Sequence, residues 1–166
     1  MIDIRKADSQ EDAYKLSELA KKIWREHYVP IIGIDQTEYM LEKFQSQAAI
    51  WKSMNEGYIY FLAYQEGYFC GYAGVKLDEV GNTVFLSKLY VQKEYRGMGI
   101  SKILMEAVYD FAKNCNGKSI WLTCNKHNCT TIDIYKKMGF VLIDELVTDI
   151  GEGYVMDDYV LEKQLK

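Results

Sequence analysis

Residues 2–7, IDIRKA, alternate apolar and polar side chains, the period of a strand with one buried face. The spacing then changes: Ala13, Leu16, Leu19, Ala20, Ile23 and Trp24 recur every three or four residues and predict a helix over 10–27, with Ser9 as its cap. Pro30, the single proline, is expected to end that element and leave IIGID (31–35) as a loop. Two further helical stretches follow, about Gln36 to Phe44 and Gln47 to Asn55. Residues 58–78 are rich in aromatic and β-branched side chains around Glu66-Gly67 and predict a hairpin. Gly81-Asn82 marks another turn, and TVFLSKLYV (83–91) is so nearly continuous in apolar residues that it is expected to be covered on both faces.

The clearest helix comes next. Ile100, Ile103, Leu104, Ala107, Val108, Phe111 and Ala112 share one face, and Asn114, Asn116 and Gly117 stop it. SIWLTC (119–124) reads as a short buried strand. Asn128 is placed to cap a further helix carrying Ile132, Tyr135 and Met138, with Gly139 where a left-handed terminal residue is needed. FVLIDELV (140–147) and GYVMDDYVLEK (153–163) predict two late strands joined by a turn near Gly151-Glu152-Gly153. The order β-α-α-α-β-β-β-α-β-α-β-β implies a mixed α/β sheet with helices on both faces. Without internal repeat, low-complexity tract or linker, residues 1–166 are expected to form one domain.

Composition narrows the function. The formal net charge is −4, whereas nucleic-acid binders carry a basic excess, so DNA and RNA are not expected partners. The opening MIDIRKADSQEDAYK lacks a basic segment followed by an apolar run, and no stretch reaches the ~20 apolar residues of a membrane span, so a cytoplasmic protein is expected. Its cysteines should then be reduced, with Cys70 and Cys115 as small buried apolar residues. Cys124, His127 and Cys129 lie close together, but their spacing is not that of a zinc knuckle and no second ligand pair follows, so no metal is expected. His27 and His127 are expected at a helix end or on the surface.

The chemistry concentrates in EYRGMGISK, residues 94–102. A helix start carries unpaired N–H groups and partial positive charge, and glycines before it let an anion approach the backbone. With Arg96 as a fixed cation, the loop reads as a cradle for a diphosphate. The P-loop pattern G-x-x-x-x-G-K-[ST] does not occur. The dinucleotide pattern G-x-G-x-x-G fails because Lys102 holds its third glycine position and the next strand has no acid.

YVQKEYRGMGIS (90–101) resembles the acetyl-CoA signature of the GNAT N-acetyltransferases, [QR]-x-x-G-x-[GA]; Arg96 and Gly99 match, and Ser101 stands where Gly or Ala is preferred. NKHNCTTIDIYKKMGF (125–140) resembles a second block of that family, with Asn128, Tyr135, Gly139 and Phe140 in place and Thr131 at a position that is usually small. The likeness covers most of the chain and is most specific over 84–141. IWREHY and YMLEKFQS, in the front half, look like the polyamine- and diamine-acetyltransferase branch.

The resemblance implies the GNAT fold, a mostly antiparallel sheet of about seven strands. It also implies acetyl-CoA as cosubstrate, no metal, and direct attack of a primary amine on the thioester. The amine acceptor would be a polyamine or diamine if its pocket is closed and acidic-aromatic, or a peptide or protein amino group if an open groove receives it. The main chain of Arg96, Gly97, Met98, Gly99, Ile100 and Ser101 would hold the diphosphate. Leu89, Tyr90 and Val91 would line pantetheine and offer N–H groups to the carbonyl oxygen, provided the strand splays from its neighbour after Val91. Asn128 would meet the cofactor or cap its helix. Tyr135 would protonate the departing sulfur, the alternative being a half-buried core tyrosine. Trp24 and Tyr28, four residues apart on a predicted helix, are candidates for the acceptor pocket, ordinary core packing being the alternative.

Many relatives place a glutamate base on the strand before the glycine loop. Here Ser87 and Lys88 stand at that place, neither a good base, and the base is unassigned; Glu26 or Tyr28 could take a proton through ordered waters. A GNAT-fold module that binds acyl-CoA without catalysis, as a sensor or interaction domain, is the rival reading. The resemblance also leaves room for a homodimer.

Overall fold

The computed structural model describes residues 1–165. Seven strands form one sheet: β1 (Ile2–Lys6), β2 (Ile59–Gln65), β3 (Tyr68–Asp78), β4 (Thr83–Val91), β5 (Ser119–Asn125), β6 (Val141–Gly151) and β7 (Tyr154–Gln164). The helices are α1 (Gln10–Ile32), α2 (Ile34–Gln45), α3 (Gln47–Asn55), α4 (Ile100–Asn114) and α5 (Cys129–Lys137), and a single 3-10 turn spans Lys93–Tyr95. The strand order is β1-β2-β3-β4-β5-β7-β6. Every neighbouring pair is antiparallel except β4 and β5.

Two hydrophobic layers sandwich the sheet. The apolar stripe of α1 packs with Met40, Leu41 and Ile50 against Tyr60, Leu62 and Tyr72 on one face. On the other, Ile100, Leu104, Met105 and Val108 of α4 cover Ala73, Val75, Val84 and Leu86. The edge strand β6 leaves Val141, Ile143 and Val147 exposed.

Pro30 does not end α1, which runs through it to Ile32. A proline removes one backbone donor, and so close to a helix end the loss is confined to the last turn. Gly33, at φ +86°, stops the helix instead: its N–H bonds Val29 at 2.9 Å. The expected loop is therefore a single residue, since α2 starts at Ile34 and Thr37 Oγ1 donates to the Gly33 carbonyl at 2.7 Å.

β4 is also not covered on both faces. Val84 and Leu86 point into the α4 layer, while Phe85, Ser87, Lys88 and Tyr90 line a cavity on the other side. A bulge causes two successive residues to face the same way: Gly74 pairs with Lys88 but Val75 pairs with Leu86, so Ser87 has no partner on β3.

Candidate active site

The site forms where the sheet splits. β4 and β5 pair only at Val84–Ile120 and Phe85–Trp121, and then diverge. The splay begins well before Val91, where the sequence reading placed it. Gln92 N–H bonds Cys70 of β3 at 2.8 Å, so by alternation the N–H groups of Leu89 and Val91 point away from β3, into the split.

At the end of β4 the chain turns through the 3-10 turn into the glycine loop. Gly97 and Gly99 adopt φ +81° and +79°, and an added Cβ at either would meet no protein atom within 4 Å. The loop is bare on its outer side, and Gly99 serves as the N-cap of α4 without any side-chain cap, leaving the first N–H groups of the helix free of a side-chain partner. Arg96 is exposed but tethered, its Nε donating to the Val91 carbonyl at 3.1 Å. Met98 is exposed, Ile100 anchors the helix in the core, and Ser101 is half-buried.

Across the split, Tyr135 on α5 is buried and packs edge-on to Phe140, with ring centroids 5.5 Å apart. Its hydroxyl makes no hydrogen bond to another described residue, and burial holds its pKa well above the ordinary tyrosine value. Asn128 occupies the N-cap position of α5, yet its side chain does not cap. Instead its oxygen accepts from His27 Nε2 at 3.1 Å, while its Nδ2 is buried without a protein partner. His27 is thus neither terminal nor on the free surface. It lies within the extended α1, and burial lowers its pKa from 6.5, against the pull of the Asn128 bond and with a smaller push from Arg96.

Trp24 and Tyr28 do share a face, with ring centroids 4.5 Å apart, and Tyr28 meets Tyr90 hydroxyl to hydroxyl at 3.2 Å. All three line a cavity of about 490 Å³ roofed by α1, α2 and α3. Trp24 is also core, so its two readings are one position. Of the proton routes considered, Glu26 is exposed and does not line the cavity, and burial pushes Tyr28 up to about 12, which makes it a poor base.

Two charged residues in the cavity carry more. Asp158 on β7 is buried, forms no hydrogen bond or ion pair with another described residue, and is pushed up to about 6, first by burial and then by neighbouring Asp157, against Lys126. No motif of the sequence distinguishes it from Asp157; only the strand phase does. Lys88 is pushed down to about 7 by burial, has no acidic ion-pair partner among the described residues, and donates to the Tyr60 hydroxyl at 2.7 Å. Elsewhere, Cys70 and Cys124 are buried, Cys115 is half-buried and Cys129 exposed, and no three ligating side chains come together among the described residues.

A split parallel pair and a bare glycine loop at the mouth of α4 stand in one chain with a buried tyrosine on α5, and the sequence profile of the acetyltransferase (GNAT) family matches residues 16–140. The chain belongs to that family. Among solved structures, the PaiA N-acetyltransferase of Thermoplasma acidophilum, crystallised with coenzyme A, superposes with a TM-score of 0.83 at 25% identity over 99% of both chains. Streptothricin acetyltransferase of Streptomyces lavendulae is 29% identical over 75 residues, 45% of this GNAT chain and 40% of its own. The Drosophila melanogaster protein described as a probable N-acetyltransferase, san, is 30% identical over 108 residues, 63% of this chain and 59% of its own. The GNAT chain thus spans between about two fifths and three fifths of these two relatives.

Proposed function

We propose that this protein transfers the acetyl group of acetyl-CoA to a primary amine of a small molecule. The observation that carries the reading is the split between β4 and β5: β4 leads through the 3-10 turn into the glycine loop, and Ser87, Lys88 and Tyr90 beyond the last pair line the aromatic cavity. The residues fit the cosubstrate: the loop presents bare backbone where a diphosphate would approach, and Asn128 Nδ2 is a buried donor awaiting a partner.

Acetyl-CoA supplies an activated thioester. The main chain from Arg96 to Ser101 holds its diphosphate. Leu89, Tyr90 and Val91 line its arm, and the free N–H groups of Leu89 and Val91 receive the charge that develops on the acetyl oxygen. Tyr135, kept protonated by burial, gives its proton to the sulfur. The amine enters from the cavity past Trp24 and Tyr28, whose rings suit a cation.

A cavity of about 490 Å³ under a three-helix roof suits a small molecule better than a peptide groove. It is aromatic, but Lys43, Lys52 and Lys88 line it beside Glu56 and Asp158, so it is not the acidic-aromatic pocket that would favour a polyamine. Thiol release measured across spermidine, diamines, amino acids, aminoglycosides and short peptides tests the reading. Amine-dependent release is expected with at least one small amine. Tight CoA binding by calorimetry without release for any amine would leave the non-catalytic module standing instead.

A further inference from the structure

The cavity is divided in charge. Lys88 and Asp158 both lie beyond the last paired residues of β4 and β5, on opposite arms of the split. Asp158, opposite Asn125 on the β5 side, sits at the end near Tyr28 and Cys124. Lys88 reaches the other way, over the ring of Tyr60, its nitrogen 4.9 Å from the centroid.

That ammonium is held by an oriented chain. Ser53 Oγ donates to the Ile50 carbonyl at 2.7 Å, so the Tyr60 hydroxyl, 2.9 Å from Ser53, donates to it and keeps its own lone pairs for Lys88. One N–H of Lys88 is fixed by this chain and the others remain for the cavity. A half-buried cation without an anion is costly, and an acidic group arriving from solution would both restore its charge and accept those N–H groups. A second ammonium arriving there would be repelled. Lys43 donates to both the Ile150 carbonyl and the Tyr39 hydroxyl, and Lys52 is exposed with Glu56 3.9 Å away, so Lys88 is the one with a single neutral partner among the lysines lining the cavity.

We propose that the acceptor is an amine that also bears an anionic group, its amino end received by Asp158 beside Trp24, Tyr28 and Tyr90, and its carboxylate or phosphate by Lys88. This rests on the acetyl-transfer reading. In the reaction the ammonium gives one proton to Asp158 and its nitrogen bonds the acetyl carbon; the carbon–sulfur bond breaks, the nitrogen sheds its second proton to solvent, and the sulfur leaves with the Tyr135 proton. Asp158 then releases its proton to solvent, from which Tyr135 recovers one.

The test compares matched acceptors: ω-amino acids of two to six carbons, the aminoalkylphosphonates of equal reach, the corresponding alkylamines, and diamines. The anion-bearing set should exceed the alkylamines in kcat/KM by about tenfold or more, the worth of a charge-assisted hydrogen bond. Diamines should rank last. Carboxylate against phosphonate distinguishes the two sources of anion. Lys88→Met should collapse the preference, chiefly through KM, and Lys88→Glu should turn it toward diamines. A wild type that prefers diamines or spermidine, or a Lys88→Met protein that keeps the ratio, overturns the proposal.

Product binding supplies a measure that needs neither turnover nor a variant. In the wild-type CoA complex, 5-acetamidopentanoate should bind about tenfold more tightly than N-pentylacetamide. Equal binding overturns the anion site even if amines are acetylated. Carboxylate-dependent binding with no acetylation of any amine would fail the transfer reading while the anion site stands.

Discussion

His27 Nε2 lies 3.1 Å from the side-chain oxygen of Asn128, a contact between α1 and the head of α5 across 101 positions of sequence. The oxygen can only accept, so Nε2 carries the proton, and the bond ties α1 to the start of α5. Replacing His27 by Ala leaves both polar atoms of a buried Asn128 unpartnered. Stability should fall by about 1–3 kcal/mol, read from urea unfolding. The double variant with Asn128→Ala should lose less than the sum of the two single changes. Because the folded-state pKa of His27 is lowered, its stabilising neutral form is secure above the ordinary 6.5, and stability declines as pH falls below that value.

Asp158 gives a second pH signature of the opposite kind. Its folded-state pKa of about 6 exceeds the ordinary 3.8, so the stability linked to its protonated form is present at low pH and is lost as pH rises through about 6. Asp158→Asn should therefore raise the melting temperature relative to wild type at pH 8, by a margin that shrinks toward pH 5. The same change should reduce amine acetylation by about 10²-fold or more, the usual contribution of a general base. The acid limb of the wild-type kcat/KM profile should fall near pH 6. The groups that bear on this carboxyl are Asp157, Lys126, Cys124 and Tyr28. An unchanged acid limb in Asp158→Asn would remove the residue from the chemistry.

Tyr135→Phe keeps the ring against Phe140 and deletes the buried hydroxyl. The expected result is a kcat about 10²-fold lower, with CoA affinity shifted by no more than about twofold. A loss confined to KM would assign the tyrosine to binding alone.

Gly99 separates strain from obstruction. Valine there must adopt φ near +79°, costing about 1–2 kcal/mol of stability, whereas asparagine tolerates the left-handed region. Neither side chain meets a protein atom at its Cβ. Both should nonetheless weaken CoA about tenfold, or ~1.4 kcal/mol, because the Cβ stands where the diphosphate approaches. Unchanged affinity in Gly99→Asn would reduce the loop to a turn.

Local periodicity was enough to determine most elements: TVFLSKLYV is β4 and Gln47–Asn55 is α3 with their ends as read from sequence. Gly99 at positive φ before α4 and Tyr135 on the short helix α5 were likewise legible, because each is a property of a few consecutive residues. Pro30 escaped that logic, since Gly33 rather than the proline stops α1. What the tertiary structure alone decided is long-range. The point at which β4 leaves β5 depends on pairing between strands far apart in the chain. The bulge at Ser87 turns Lys88 into the cavity and away from the α4 layer. Asp158 differs from Asp157 only in which face of β7 it takes, and that phase is set by pairing with β5. Burial is what moves the pKa values of Lys88 and Asp158, and burial is a sum over neighbours that no local stretch of sequence contains.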